Sequence, residues 1–344
     1  MLKLIITGSS GTTDITQLIQ SITWSGDYQQ CSRTLEFELI TSPTDKNVPA
    51  VKCELGNGII LKQNNRILFD GFIFEMQKDT GSSVINVTCY DRGIYLKRNE
   101  ASYRFTNMTP ESITKRICTD FGISAGSIAA PEAKISRNYV GVSLYRMIQT
   151  AYTLASEKTG KKYLVRFDGP KVCVIEKAVN NETLVVEGGS NLMSASTTES
   201  ISNMINQVVV YNSDDKLIST QKDTETVKLY GVLQSYLKVA KGEDGITKAK
   251  KLIADNGVSQ KITIENLGNI ANVTGGTVVV REPYTGLYGL FYIDSDIHTW
   301  KRGQYYNKLV VNFRNIMDEQ ETGKLPNKDG SKTGTWDYIN KPGG

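Results

Sequence analysis

Thr277-Val278-Val279-Val280-Arg281, Tyr288-Gly289-Leu290-Phe291-Tyr292-Ile293 and Tyr306-Asn307-Lys308-Leu309-Val310-Val311-Asn312-Phe313 lie within the stretch from Asn272 to Phe313 and decide how this chain is read. Pro283-Tyr284-Thr285-Gly286 separates the first two runs as a turn, and a longer link through Asp294, Asp296, His298 and Gly303 leads to the third. In the third run Lys308, Val310 and Asn312 alternate with Leu309, Val311 and Phe313. That period of two predicts a half-buried sheet. No nucleophile, metal-ligand cluster or phosphate loop accompanies it, so the sheet reads as a surface on which something docks.

Outward from this stretch, 344 residues are long for one core and natural for two or three domains. The hydrophobic share of 39% and the charged share of 22% fit a folded protein. Net charge is +4, without the block of like charge that marks a nucleic-acid stripe. Cys31, Cys53, Cys89, Cys118 and Cys173 are odd in number and widely spaced, which predicts a reduced compartment and no disulfide framework. The opening Met1-Leu2-Lys3-Leu4-Ile5-Ile6 is too short for a signal peptide, and no apolar window is long enough for a membrane span.

Four regions follow from pattern. Residues 1–98 read as short strands, with Leu35, Phe37 and Leu39 alternating against Thr34, Glu36 and Glu38, and a hairpin about Gln63-Asn64-Asn65. This predicts a small barrel or sandwich. Trp24 here fits either an interface anchor or a core aromatic, the core being the ordinary place. Residues 99–180 read as α+β. Thr109 caps a helix with Pro110 at its first position and Gly122 as its stop, a second helix runs from Ser143 to Lys158, and a hairpin turns at Asp168-Gly169-Pro170. Residues 181–319 read as a second barrel with a helix from Ile246 to Asn256 laid on it. Residues 320–344 read as an extended polar tail in which Trp336, Tyr338 and Ile339 form either a docking segment or part of a flexible end.

Candidate chemistry is sparse. His298, the single histidine, lacks companion ligands for zinc and reads as structural. Glu282 with Asp294 or Asp296 is the best available acid–base pair for a glycosidase-type reaction or a calcium site, yet Asp-x-Asp in a link is more often a solvated face. Gly8-Ser9-Ser10-Gly11 and Gly188-Gly189-Ser190 lack the Lys and following helix of a phosphate loop. Ser143 has no His and Asp partners near it in sequence. The chain therefore reads as non-enzymatic, with no catalytic, cofactor-binding or metal residues.

Ser21-Ile22-Thr23-Trp24-Ser25-Gly26-Asp27 with Arg33-Thr34-Leu35-Glu36-Phe37, Cys89-Tyr90-Asp91-Arg92-Gly93-Ile94-Tyr95-Leu96, Ala151-Tyr152-Thr153-Leu154-Ala155, Gly160-Lys161-Lys162-Tyr163, Glu282-Pro283-Tyr284-Thr285-Gly286-Leu287-Tyr288-Gly289 and Phe313-Arg314-Asn315-Ile316-Met317-Asp318 carry a family resemblance. Together they resemble the baseplate hub proteins of contractile phage tails and phage-tail-like bacteriocins (the prophage late control D-like hubs), nearest the branch in Gram-positive bacteria. The resemblance implies a β-rich multidomain fold, two tail-tube-like β-barrels with an intervening small α+β domain. It implies a homotrimer whose six barrels match the hexameric tail tube protein on one side and receive the trimeric central spike protein on the other. Other baseplate proteins, and a tape-measure protein in the channel, are the further implied partners, with no specific nucleic acid and no membrane. It implies assembly in the bacterial cytoplasm, then residence in a phage virion or tail-like particle. The alternative is a peptidoglycan-cleaving or carbohydrate-active tail protein.

Overall fold

The computed structural model describes residues 1–320 apart from Ser10, Pro43, residues 178–183 and Lys241. The aromatic segment around Trp336, and the tail to which it belongs, lie outside the described residues. The chain divides into two compact units, one formed by Met1–Ala195 with the chain from Ile264 onward, the other by Ser196–Thr263.

The first unit is organised by its longest strand, Leu287–Lys301, of 15 residues. Its first part pairs antiparallel with Thr277–Glu282, Val280 lying opposite Gly289. Its second part pairs with Ile19–Asp27, near the start of the chain, Trp24 lying opposite His298. Along its other edge it pairs with Gln304–Asn312. The sheet then continues from Ile19–Asp27 through Thr34–Ile40, Val84–Asp91, Arg66–Lys78, Gly58–Gln63 and Leu2–Gly8 to Gly11–Asp14. The alternation read in Thr34–Ile40 is real: Leu35, Phe37 and Leu39 are buried in a cluster with Leu4, Ile22, Trp24, Leu61 and Val87.

The expected pair of tail-tube-like barrels is not what this chain builds. Among the described residues no sheet closes. The main sheet runs open from Leu192–Ser200 at one end to Gly11–Asp14 at the other, and strands of both β-rich regions share it. The reason lies in the length of Leu287–Lys301. It serves different partners along its length, so the backbone groups of Ile19–Asp27 are satisfied by a strand from the far end of the sequence. The link expected through Asp294, Asp296 and His298 is likewise corrected: all three lie inside this strand.

Two long helices, the short helix Gly93–Arg98 and two small sheets form the other part of the unit. Pro110–Asp120 starts as read from the sequence, Thr109 accepting from the Ser112 amide at 3.2 Å. Leu144–Thr159 is capped by Ser143 and stops at Gly160, whose φ of 71° suits glycine. Leu144, Met147, Ile148, Ala151, Tyr152 and Ala155 recur at helical spacing and are buried with Ile113, Ile117, Val165 and Val174. The Tyr152 hydroxyl donates to the Ala129 carbonyl at 2.6 Å, so this large side chain is buried with its polar tip satisfied. The segment after Gln304–Asn312 returns to the same helix. Met317 joins its apolar cluster, Tyr145 donates to the Asp318 carboxylate at 2.7 Å, and Gln149 donates to the Asp318 carbonyl at 2.7 Å.

The second unit is a three-stranded sheet with Gln207–Tyr211 at its centre, antiparallel to Leu217–Lys222 and parallel to Gln234–Lys238. The helix Gly245–Asp255 begins where Asp244 accepts from the amides of Ile246 and Thr247 at 3.1 and 3.0 Å. It packs Ala249 against Val208, Val210 and Val239. Glycine at its first position permits that approach, since a Cβ on Gly245 would sit 2.6 Å from a Val210 methyl.

Replacing Tyr152 with Phe removes the partner of a buried carbonyl while keeping the ring. The expected loss of unfolding free energy is about 1–2 kcal/mol, against about 4 kcal/mol for Tyr152→Ala. Denaturant titration of both variants reads the difference, and equal losses would contradict the role given to the hydroxyl.

Candidate functional site

The face of Leu287–Lys301 that carries Asp296, His298 and Trp300 lies in register with two neighbours. Gly26, Trp24 and Ile22 stand opposite on one side, and Leu309, Asn307 and Tyr305 on the other. This patch is the polar centre of the first unit, and most of it is out of contact with water. Asp296, His298 and Asn307 are each 0% exposed.

Arg33 makes the burial of Asp296 possible. Its Nη1 donates to Asp296 Oδ1 at 3.0 Å, and its Nη2 donates to Oδ2. The same guanidinium lies 3.9 Å from the centre of the Trp24 ring. Gly26 makes room for it, because a Cβ there would come within 2.3 Å of Nη1. The amide and hydroxyl of Thr274 both donate to Asp296 Oδ1 at 2.6 Å. Burial alone would raise the Asp296 pKa. The Arg33 charge and the hydrogen bonds from His298 and Arg33 reverse this and hold it well below the usual carboxylate range.

The hydrogen bonds also choose the histidine tautomer. The Asn269 amide donates to Asn307 Oδ1 at 2.7 Å, which fixes the orientation of that side-chain amide. Asn307 Nδ2 therefore donates to His298 Nδ1 at 2.8 Å, and Nδ1 is an acceptor. Nε2 is then the donor, and it faces Asp296 Oδ2 and the Asn272 carbonyl, each at 3.1 Å. The Tyr305 hydroxyl also lies 2.8 Å from Nδ1, and its ring stacks on Trp300 with ring centres 4.4 Å apart. A carboxylate, a histidine and a hydroxyl thus meet, but the carboxylate and the histidine have no exposure to solvent and each is held by several hydrogen bonds. The group fastens three strands together.

The other residues singled out from the sequence are also tied into the fold. Asp294 pairs with the Lys177 ammonium at 3.5 Å, and Lys177 further donates to the Ile316 carbonyl at 2.5 Å. Burial raises the Asp294 pKa and lowers that of Lys177, each partly offset by the other. The expectation of a solvated Asp-x-Asp face is therefore overturned, because both aspartates are buried and each has its own cation. Glu282 closes the turn after its strand, accepting from the amides of Tyr284 and Thr285 at 2.9 and 2.6 Å. The hydrogen bonds from Thr285 pull its pKa down. Ser143 caps a helix, and Gly188 and Gly189 follow the strand Leu184–Glu187 in a turn. Trp24 is a core residue. Among the described residues no group of three or more His, Cys, Asp or Glu side chains is placed to hold a metal ion, and no helix is long and apolar enough to cross a membrane.

Residues 22–312 match the YqbQ-like family. The chain belongs to the YqbQ-like family. A relative, the phage-like element PBSX protein XkdQ of Bacillus subtilis strain 168, is 25% identical over 312 residues, spanning 87% of this chain and 94% of its own. The fold is similar to that of the prophage MuSo2 43 kDa tail protein of Shewanella oneidensis, with a TM-score of 0.65 at 12% identity over 90% of this chain and 97% of that one. A tail protein of Neisseria meningitidis MC58 gives a TM-score of 0.63 at 14% identity over 90% and 96%. The resemblance to phage tail baseplate hubs read from the sequence thus holds at the level of family and fold.

Two expectations follow. Arg33→Met leaves the Asp296 charge buried without its cation and costs about 3–5 kcal/mol. In an Asp296→Asn background the same substitution costs clearly less, and additive losses in this double-mutant cycle would overturn the pairing. The second concerns Asp91, which accepts from the amides of Arg33 and Gly93 at 3.0 and 2.8 Å. Burial pushes its pKa up to about 6. The folded chain holds this proton more tightly than the unfolded chain. The resulting stability is full below about pH 4 and is lost as pH rises through about 6, on the order of 2–3 kcal/mol. Unfolding titrations at pH 4.5 and pH 7 should therefore show a smaller pH dependence for Asp91→Asn than for the unsubstituted chain. An unchanged dependence would remove Asp91 as its source.

Proposed function

We propose that this chain is a structural subunit of the baseplate of a phage tail or tail-like particle. In this reading it is a homotrimeric hub that joins the tail tube protein to the central spike protein. The observation that carries the reading is the end-to-end likeness of the fold to prophage tail proteins, together with a relative in a phage-like element. The engaged state of Glu282, Asp294 and Asp296 supports a structural role. So does the exposure of Tyr288 and Leu290, alternate residues of the long strand, since neighbouring exposed apolar side chains suit contact with other subunits. A charge of +4 without a basic run suits a channel wall past which DNA or a tape-measure protein slides without sequence-specific contacts. The chain would then assemble in the bacterial cytoplasm and reside in the particle, where other baseplate proteins surround it.

Purified particles carrying a tagged copy test this by copy number, from quantitative mass spectrometry or a map of the baseplate. Three copies on the particle axis are expected. Six or twelve copies, or a position off the axis, would falsify the trimeric hub.

A further inference from the structure

A cavity of 90 Å³ lies in the first unit where four stretches remote in sequence converge: the loop after Ile19–Asp27, the start of Arg66–Lys78, the strand Tyr163–Asp168 and the loop at residues 270–274. It is several times the roughly 10–15 Å³ that one water needs. Its charged lining comes from Arg33, Arg66, Arg166, Asp27 and Asp168, with Gln30 and Thr274 beside them.

The charges in this lining are unevenly committed. Arg33 spends Nη1 and Nη2 on Asp296, and its buried Nε has no hydrogen-bond partner among the described residues. The side chains of Arg66 and Arg166 make no hydrogen bond or ion pair with any described residue. Asp27 accepts from the Gln29 amide at 2.8 Å, and Asp168 stands exposed at the hairpin end. Burial lowers the Arg166 pKa, the Asp168 charge offsets part of this, and the charges of Arg33 and Arg66 add smaller lowerings. Three guanidinium charges around one half-open pocket repel each other, and the two carboxylates in the lining, Asp27 and Asp168, offset this only in part, two against three. A guanidinium presents a planar fork of donors that matches two oxygens of a phosphate or carboxylate.

We propose that this cavity is a binding site for a small oxyanion of phosphate size, gripped by Arg166 and Arg66, with Arg33 as a fixed charge behind them. The bound anion ties the α+β part of the first unit to its main sheet, because Arg166 belongs to one and Arg33 and Arg66 to the other. The site does not depend on the role in a particle, and its test is made on the isolated full chain.

Calorimetric titration with inorganic phosphate, at fixed ionic strength in a chloride buffer, should show one saturable site per chain. Arg66→Ala and Arg166→Ala should each weaken it by about tenfold or more. Arg66 is exposed at the start of its strand, so its variant keeps the fold even if Arg166→Ala does not; far-UV circular dichroism checks both. Retained binding by a folded Arg166→Lys variant, at an affinity between those of the unsubstituted chain and the alanine variants, would support the grip. Absence of saturable binding, or equal affinity in the unsubstituted chain and Arg66→Ala, overturns the site.

Discussion

The ion pair between Arg33 and Asp296 joins residues 263 positions apart in sequence, and the rest of the first unit depends on it. A carboxylate with no exposure to water is tolerable only if its charge and lone pairs are met inside the protein. Here a guanidinium, the Thr274 amide and hydroxyl, and the His298 ring meet them together. The pair contributes position more than net energy. It fixes which residue of Ile19–Asp27 faces which residue of Leu287–Lys301, since a one-residue slip would carry Asp296 to the opposite face of the sheet. Trp24 and Gly26 complete the fit, one as the surface on which the guanidinium lies and the other as the gap that admits it.

Much of the local structure was legible in the sequence, for identifiable reasons. Thr109-Pro110 and Ser143 with Gly160 are capping signals whose chemistry acts within one turn, and both helices begin and end where those residues place them. Leu35, Phe37 and Leu39 show their buried face through simple alternation. The long-range pairing was not legible. Nothing local in Ser21–Asp27 tells it to pair with a strand near the other end of the chain, and hydrophobic alternation predicts a sheet without naming its neighbours. Closure into two barrels was the natural expectation for two separate β-rich regions, and a single strand serving both overturns it.

The polar centre was obscured for a different reason. Asp294, Asp296, His298 and Trp300 recur at every second position, which is itself a strand period. Polar residues at strand spacing look like a solvated link when their partners are unknown. The partners, Arg33 and Lys177, come from distant parts of the sequence. Read as alternation regardless of polarity, the same four residues mark a strand with a buried polar face.

The reach of Leu287–Lys301 back to Ile19–Asp27 also sets a timetable. A ribosome adds about 5–20 residues each second, so the strand carrying Trp24 waits roughly 15–50 s before its partner exists. During that interval one edge of the nascent N-terminal sheet is open, and Arg33 has no carboxylate to receive it. The hairpin with Thr34–Ile40 can form early, because its contacts are local. The seam with the far strand is then among the last contacts to close, and newly made chains crowded at one site of synthesis have that long to pair their open edges with each other.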